Sequence, residues 1–259
     1  MTAADQLLAE ARIHHKRLAE LPEAVRPKNP EEAYRCQEGL IPRLVEHYGG
    51  SVIGYKIACT NVTAQRQLSV DGPFYGQLLS AFSSASPGRL KASDFFMRVI
   101  EAEFAYQMGR DLPPVAKPRE RDEVAAAVEG VLPGIEIVDS RFDDWTTIGA
   151  LSLTADNACN AAWVRGALRK DWRSFDLAAQ AVRLLVNGQV LREGTGANVL
   201  GHPLNALTWL ANILSSRGLG LKAGQYVTTG VTTVVYMAER GDEILAEFGP
   251  VGSVQLSFD

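Results

Sequence analysis

Acidic side chains set inside otherwise apolar, strand-like runs constrain this chain more than any other feature. In Arg98–Tyr106, read as Arg-Val-Ile-Glu-Ala-Glu-Phe-Ala-Tyr, Glu101 and Glu103 stand two residues apart. Side chains at i and i+2 of a strand leave the same face, roughly 7 Å apart along the chain, so both acids converge on one spot. A second run, Gly134–Val138, sets Glu136 between Ile135 and Ile137, where a buried side chain is expected. An ionised carboxylate buried without a partner costs several kcal/mol, so three of them must be protonated, matched by cations or bound to a metal. All-carboxylate ligation favours a hard ion such as Mg²⁺ or Mn²⁺. Zinc usually recruits His or Cys, and His14, His15, His47 and His202 are not at ligand spacing. A competing reading puts Glu101 and Glu103 on the solvent face of an edge strand and pairs Glu136 with an arginine such as Arg141. Spacing alone leaves both readings open.

The rest of the chain supports a folded host for such a site. With 259 residues, 46% hydrophobic and 22% charged, it is one large domain or at most two small ones, and not a disordered or fibrous chain. A net charge of −4 with no basic cluster gives no grip on phosphate backbones, so no nucleic-acid partner is expected. Charged residues interrupt the first twenty positions and no stretch reaches spanning length, so neither secretion nor membrane insertion is expected. Cys36, Cys59 and Cys159 are far apart and odd in number, which suggests no disulfide framework and a reducing, cytoplasmic setting.

Leu7, Leu8, Ala11, Leu18 and Leu21 lie near helical spacing over residues 4–21, and Asn29-Pro30-Glu31-Glu32 caps a helix over 30–48. From residue 51 the pattern changes to short strand-like runs: Val52–Ile57, Arg98–Tyr106, Gly134–Val138 and Ala161–Val164. Pro113–Glu123 reads as an exposed connection into a short helix ending near Glu129. Further helices are predicted over 174–186 and 203–217, with strands again over 224–258. The expectation is a β-rich α+β protein with an N-terminal helical region over 1–50 and a catalytic domain over 51–259.

Lys56 stands inside the apolar run Gly54-Tyr55-Lys56-Ile57-Ala58, where burial would lower its pKa and suit it to proton transfer or to neutralising an enolate; a snorkelling lysine is the plainer alternative. Asp71-Gly72-Pro73 and Tyr75-Gly76 mark a tight loop whose N–H groups could hold a carboxylate or simply turn. Asp156-Asn157 could line the same cavity or form an Asx turn. Cys159 has no histidine placed to activate it, Gly194-Thr195-Gly196 lacks the rest of a phosphate loop, and Leu204, Leu207, Trp209, Leu210 and Ile213 form a core stripe.

Taken in order, these motifs resemble the 2-keto-4-pentenoate hydratase branch of the fumarylacetoacetate hydrolase superfamily, which also contains 4-oxalocrotonate decarboxylases. The resemblance runs from about Gly54 to Phe258. It is carried by Gly54-Tyr55-Lys56-Ile57, Pro73-Phe74-Tyr75-Gly76-Gln77-Leu78, Glu101-Ala102-Glu103, Leu132–Arg141, Ala155-Asp156-Asn157, Gly201-His202-Pro203 with Trp209–Asn212, and Gly249–Val254. It implies a β-sandwich-like roll, Mg²⁺ or Mn²⁺ held by Glu101, Glu103 and Glu136, and a 2-oxo or 2-hydroxydienoate acid chelating that ion. It further implies that Lys56 lies beside the bound acid, that the backbone around Leu78 meets its carboxylate, that Thr233 adds a polar contact, and that the protein is a homo-oligomer.

The activity so implied is a lyase: hydration of a 2-hydroxy-2,4-dienoate or 2-oxo-4-enoate through a metal-stabilised dienolate, with protonation at C5 and water added at C4. Decarboxylation of a 4-oxalocrotonate-type acid shares the intermediate and is the alternative. Some positions depart from the family pattern: Ala58-Cys59 replaces a Gly and a small or apolar residue, Phe74 stands where many hydratases carry Asp, and Cys159 where Ser is frequent. Carbon–carbon hydrolases of the superfamily usually carry His and Glu on the short helix after the lysine strand; residues 61–70 contain neither, which argues against acylpyruvate hydrolysis. A non-catalytic small-acid-binding protein, with the glutamates serving only structure, is the reading from another class.

Overall fold

A computed structural model describes residues 3–259. The N-terminal region opens with α1 (Ala4–Ile13), shorter than the spacing of leucines to residue 21 predicts. His15 takes a left-handed φ of 47° and the Lys16 N–H turns back to Ala11 O (2.7 Å), which ends the helix. Leu18 then bonds Arg141 O (2.8 Å), so the segment lies against the rest of the chain instead of extending α1. In α2 (Pro30–Tyr48) the expected cap is present: Asn29 Oδ1 accepts the Glu32 N–H at 2.9 Å. Its buried stripe, Ala33, Tyr34, Gln37, Leu40, Ile41 and Leu44, follows helical spacing. The buried Gln37 amide donates to Tyr75 O (3.0 Å) and Thr154 O (2.8 Å), which ties the helix to both of those segments.

The following elements are β1 (Val52–Ala58), α3 (Val62–Gln67), β2 (Phe74–Leu79), β3 (Ser83–Ala85), β4 (Gly88–Leu90), β5 (Val99–Met108), α4 (Arg121–Ala125), β6 (Val128–Val138), α5 (Ala150–Ala155) and β7 (Asn160–Arg165). After these come β8 (Ala181–Val186), β9 (Gln189–Thr195), α6 (Pro203–Ser216), β10 (Tyr226–Val231), β11 (Tyr236–Met237), β12 (Glu243–Glu247) and β13 (Ser253–Phe258). An eight-stranded mixed sheet runs β2-β1-β10-β5-β6-β7-β3, with β11 paired to β5; a five-stranded sheet runs β4-β13-β12-β8-β9. This is the α+β architecture expected, with the large sheet packed on the smaller one.

Two further expectations are corrected. Residues 174–186 are not a helix: Val182 and Leu184 are buried while Ala181 and Arg183 face water, and β8 pairs with β9 and β12. The Leu/Ala-rich composition favours a helix locally, and sheet pairing overrides it. The short helix expected to run on to near Glu129 spans only Arg121–Ala125, and Glu129 already belongs to β6.

The large sheet has two unlike faces. On one, Ile100, Ala102, Phe104 and Tyr106 of β5 and Ile135 and Ile137 of β6 join Leu184, Ile244, Ala246, Leu256 and Phe258 of the smaller sheet in a single apolar cluster that also takes in α6. Phe104 meets Phe248 edge-on at 5.0 Å between ring centres. The residues in between, on the opposite face, include Glu101, Glu103 and Glu136, with a small apolar cluster of Leu78, Ala105, Leu132 and Trp163 beside them.

Candidate active site

Antiparallel pairing of β5 with β6 places Glu101 directly opposite Glu136, and Glu103 opposite Gly134. Directly paired residues share a face with Cβ atoms about 5 Å apart, so two strands suffice to assemble the acids. Each of Glu101, Glu103 and Glu136 offers a carboxylate oxygen within 4.8 Å of the others. Glu103 and Glu136 are fully buried and Glu101 is half-buried, so the solvent-facing edge-strand reading does not hold.

Lys56 enters from β1, which lies beside β10 in parallel register. Its side chain is 2% exposed, with Nζ 3.1 Å from Glu136 Oε1 and 3.0 Å from Ala158 O. Arg141 is not the partner of Glu136; it pairs with Asp156 at 2.9 Å, and Asp139 accepts the Met97 N–H at 2.8 Å. The expected downward shift of Lys56 is also reversed. Burial does oppose its charge, but Glu136, then Glu101 and Glu103, outweigh it and hold the pKa above the ordinary lysine value. Burial, eased in part by Lys56, raises the Glu101 pKa; burial together with Glu136 and Glu101 raises that of Glu103 well above the carboxylate range. One ammonium does not satisfy three crowded acids.

The oxygens left over make the same point. Glu103 Oε2 accepts the Gly230 N–H at 2.7 Å, while Glu103 Oε1 and Glu136 Oε2 are buried with no hydrogen-bond partner. Buried unpartnered polar atoms cost about 1–3 kcal/mol each, more when charged. Both open oxygens belong to the three-acid cluster, and an all-oxygen donor set suits a hard divalent cation. Thr60 Oγ1, Thr228 Oγ1 and Trp163 Nε1 are likewise buried and unpartnered. Thr228 sits next to Lys56 in register, and Trp163 next to Glu136. The indole N–H lies over Gly134, where a Cβ would come within 2.6 Å of Nε1, so only a glycine leaves room for it.

The turn that organises the far side falls where the sequence leaves a turn as one of two readings, though Asn157 Oδ1 accepts from the Gln77 N–H and closes no Asx turn. Asn157, Ala158 and Cys159 all take left-handed φ values, 53°, 52° and 58°, at a cost of roughly 1–2 kcal/mol per residue. The turn aims Ala158 O at Lys56 and lets Asn157 bond both the N–H (2.6 Å) and the carbonyl (2.9 Å) of Gln77. Asn157 O comes so close that a Cβ on Gly76 would lie 2.3 Å from it. Asp156 is therefore an ion-pair residue, and Asn157 clasps β2 to the turn that leads into β7. Burial pushes the Cys159 thiol up to about 12, which suits no nucleophile. Asn160, unremarked in the sequence, donates from Nδ2 to Glu136 Oε1 at 2.9 Å.

Of the other expected contacts, Leu78 lies in β2 opposite Gly54 and packs with Ala105, Leu132 and Trp163. Thr233 is buried just after β10, and its hydroxyl donates to Val234 O (3.1 Å), not to the acids or Lys56. A cavity of about 770 Å³ lined by Arg12, Phe82, Arg89 and Phe95 reaches Arg141 and Trp163 but none of Lys56, Glu101, Glu103 and Glu136. Chemistry, not volume, marks the site. Among the described residues, no helix is long and apolar enough to cross a membrane.

Comparisons with known proteins find relatives along nearly the whole chain. The 2-keto-4-pentenoate hydratase of Paraburkholderia xenovorans (strain LB400) is 34% identical over 256 residues, 99% of this chain and 94% of its own length. A 4-oxalocrotonate decarboxylase of Pseudomonas putida is 34% identical over 218 residues, 84% of this chain and 81% of its own. Among solved structures, the 4-oxalocrotonate decarboxylase from Pseudomonas putida G7 complexed with magnesium and adipate superposes with a TM-score of 0.91 at 29% identity, covering 99% of this chain and 96% of that one. The family model described as fumarylacetoacetate (FAA) hydrolase, C-terminal, matches residues 79–258, and with these relatives it shows that the chain belongs to the fumarylacetoacetate hydrolase family.

Proposed function

We propose that this protein is a divalent-metal-dependent lyase of the hydratase type, acting on a 2-hydroxy-2,4-dienoate or its 2-oxo-4-enoate tautomer with Mg²⁺ or Mn²⁺ as cofactor. The observation that carries this reading is the buried meeting of three carboxylates, two with an open oxygen, beside a buried lysine. Resemblance to named hydratases along nearly the whole chain supports the substrate class.

Glu101, Glu103 and Glu136 would hold the ion. When bound, it supplies Lewis-acid polarisation of the 2-oxo oxygen, worth several kcal/mol in the transition state. Lys56, fixed between Glu136 and Ala158 O, balances negative charge growing on the substrate oxygens and holds or relays a proton at Nζ. The hydroxyls of Thr60 and Thr228 and the Trp163 N–H are donors in want of acceptors, and they orient an oxygen-rich ligand. Leu78, Ala105, Leu132 and Trp163 keep water from its carbon chain. In this reading the backbone at Leu78 meets the substrate carboxylate and Thr233 adds a polar contact, with the protein working as a cytoplasmic homo-oligomer.

Decarboxylation of a 4-oxalocrotonate-type acid is the second reading, favoured by the TM-score of 0.91 to such a decarboxylase. The test is deuterium exchange at C3 of 2-oxopentanoate in D₂O with Mg²⁺. Exchange that stops with chelator and in Glu103→Gln is expected; no exchange by the wild-type protein would leave a binding protein instead. Offering both substrate types and following CO₂ separates hydratase from decarboxylase.

A further inference from the structure

The two oxygens of Glu136 are not equivalent. Oε1 accepts from Lys56 Nζ at 3.1 Å and from Asn160 Nδ2 at 2.9 Å, whereas Oε2 is buried and has no partner. Glu103 shows the same division, with Oε2 bonded to the Gly230 N–H at 2.7 Å and Oε1 open. In each acid one oxygen is tied back and the other is presented. The tie on Glu103 is main chain and is fixed by the fold. On Glu136 it depends on two side chains, the charged Lys56 and the neutral Asn160.

Asn160 itself has little freedom. It follows the left-handed turn Asn157–Cys159 and opens β7 opposite Val138. Its carbonyl accepts from Arg12 Nη1 at 2.5 Å, and Ala161 O accepts from Arg12 Nη2 at 2.8 Å. That arginine comes from α1 and lies with its guanidinium 4.2 Å above the Phe82 ring. The N-terminal helix therefore braces the residue that braces Glu136.

We propose that Asn160 is a positioning residue, whose amide holds Glu136 Oε1 so that Oε2 alone is offered to a divalent ion. This rests on the metal-dependent reading above. A carboxylate with one oxygen restrained binds in a single mode, whereas one free to rotate divides its population among several. Loss of such an outer hydrogen bond to a ligand typically lowers metal affinity about 10–100-fold.

The test is Mn²⁺ binding to the full chain, followed by the electron paramagnetic resonance signal of free Mn²⁺, with circular dichroism and thermal melting of the metal-free protein as the check on folding. Asn160→Leu removes the donor at similar volume and should weaken Mn²⁺ binding about 10–100-fold without lowering the melting temperature to match. Asn160→Ser keeps a shorter donor and should fall between. Should the leucine variant not fold, Asn160→Ala takes its place. In a Glu136→Ala background, which leaves Asn160 no oxygen to hold, the same substitution should change Mn²⁺ affinity less than about twofold, because a merely structural defect would persist there while a positioning effect would not. A folded Asn160→Leu or Asn160→Ala protein that binds Mn²⁺ like the wild type, or an undiminished loss in the Glu136→Ala background, overturns the positioning role. Wild-type protein that binds no Mn²⁺ would instead sink the metal reading beneath it.

Discussion

Strand β5 carries two different proteins on its two faces. Ile100, Ala102, Phe104 and Tyr106 point into the apolar cluster shared with the smaller sheet. Glu101 and Glu103, interleaved with them, point to the opposite side, against Glu136 and Lys56. Burial is nearly complete on both sides, yet one face is assembled to be stable and the other at the expense of stability. The first gains roughly 1.5–3 kcal/mol for each large side chain buried. The second keeps open carboxylate oxygens and unpartnered donors out of water, a state that a fold maintains only where other contacts over-determine it.

The contrast is broken most sharply by Glu103→Gln or Glu136→Gln. Either should cut C3 exchange by about a thousandfold, corresponding to about 4 kcal/mol of lost Lewis-acid stabilisation; in urea titration metal-free Glu103→Gln should be as stable as the wild type or more so, whereas Glu136→Gln, which leaves the buried Lys56 ammonium without its nearest partner, should be less stable. Phe104→Ala, one residue away on the other face, should do the reverse. It should lower stability by about 3–5 kcal/mol, and the folded fraction should still bind Mn²⁺ in the same stoichiometry. Saturating Mg²⁺ should then recover what the charged face costs. At a hundred times its dissociation constant it adds about 2.7 kcal/mol, read as a rise in melting temperature that chelator and Glu103→Gln both abolish. A smaller effect is expected from Gly134→Ala, whose methyl would collide with the Trp163 Nε1 edge; about 1–3 kcal/mol should be lost in stability, and C3 exchange should fall. The smallest is Thr228→Val, which removes a buried, unpartnered hydroxyl. Metal-free stability should hold or rise by less than about 1 kcal/mol, with exchange reduced.

What the sequence disclosed and what it withheld follow from the range of the interactions concerned. Glu101 and Glu103 were legible because a strand repeats every two residues, and Glu136 and Lys56 because a charge inside an apolar run is conspicuous wherever it sits. The Asn29 cap and α6 were legible for the same local reason. Residues 174–186 were not, since their leucines and alanines suit a helix and only pairing with β9 and β12 makes the alternation of Val182 and Leu184 decisive. The sign of the Lys56 shift was equally out of reach, because it depends on three acids from two other strands. Asn160, Trp163 and Arg12 carry no local signature at all. An asparagine before a strand, a tryptophan within one and an arginine on a helix acquire meaning only when β7 is laid against β6 and α1 against the start of β7.

The most direct measurement is an anomalous difference map from a crystal grown with Mn²⁺ and oxalate as an enolate mimic. A single Mn²⁺ peak bound by Glu101, Glu103 and Glu136, with oxalate on its remaining positions and Lys56 alongside, is the predicted result. A map with no peak among these carboxylates, while Glu136 stays paired with Lys56 alone and oxalate binds elsewhere or nowhere, would contradict it.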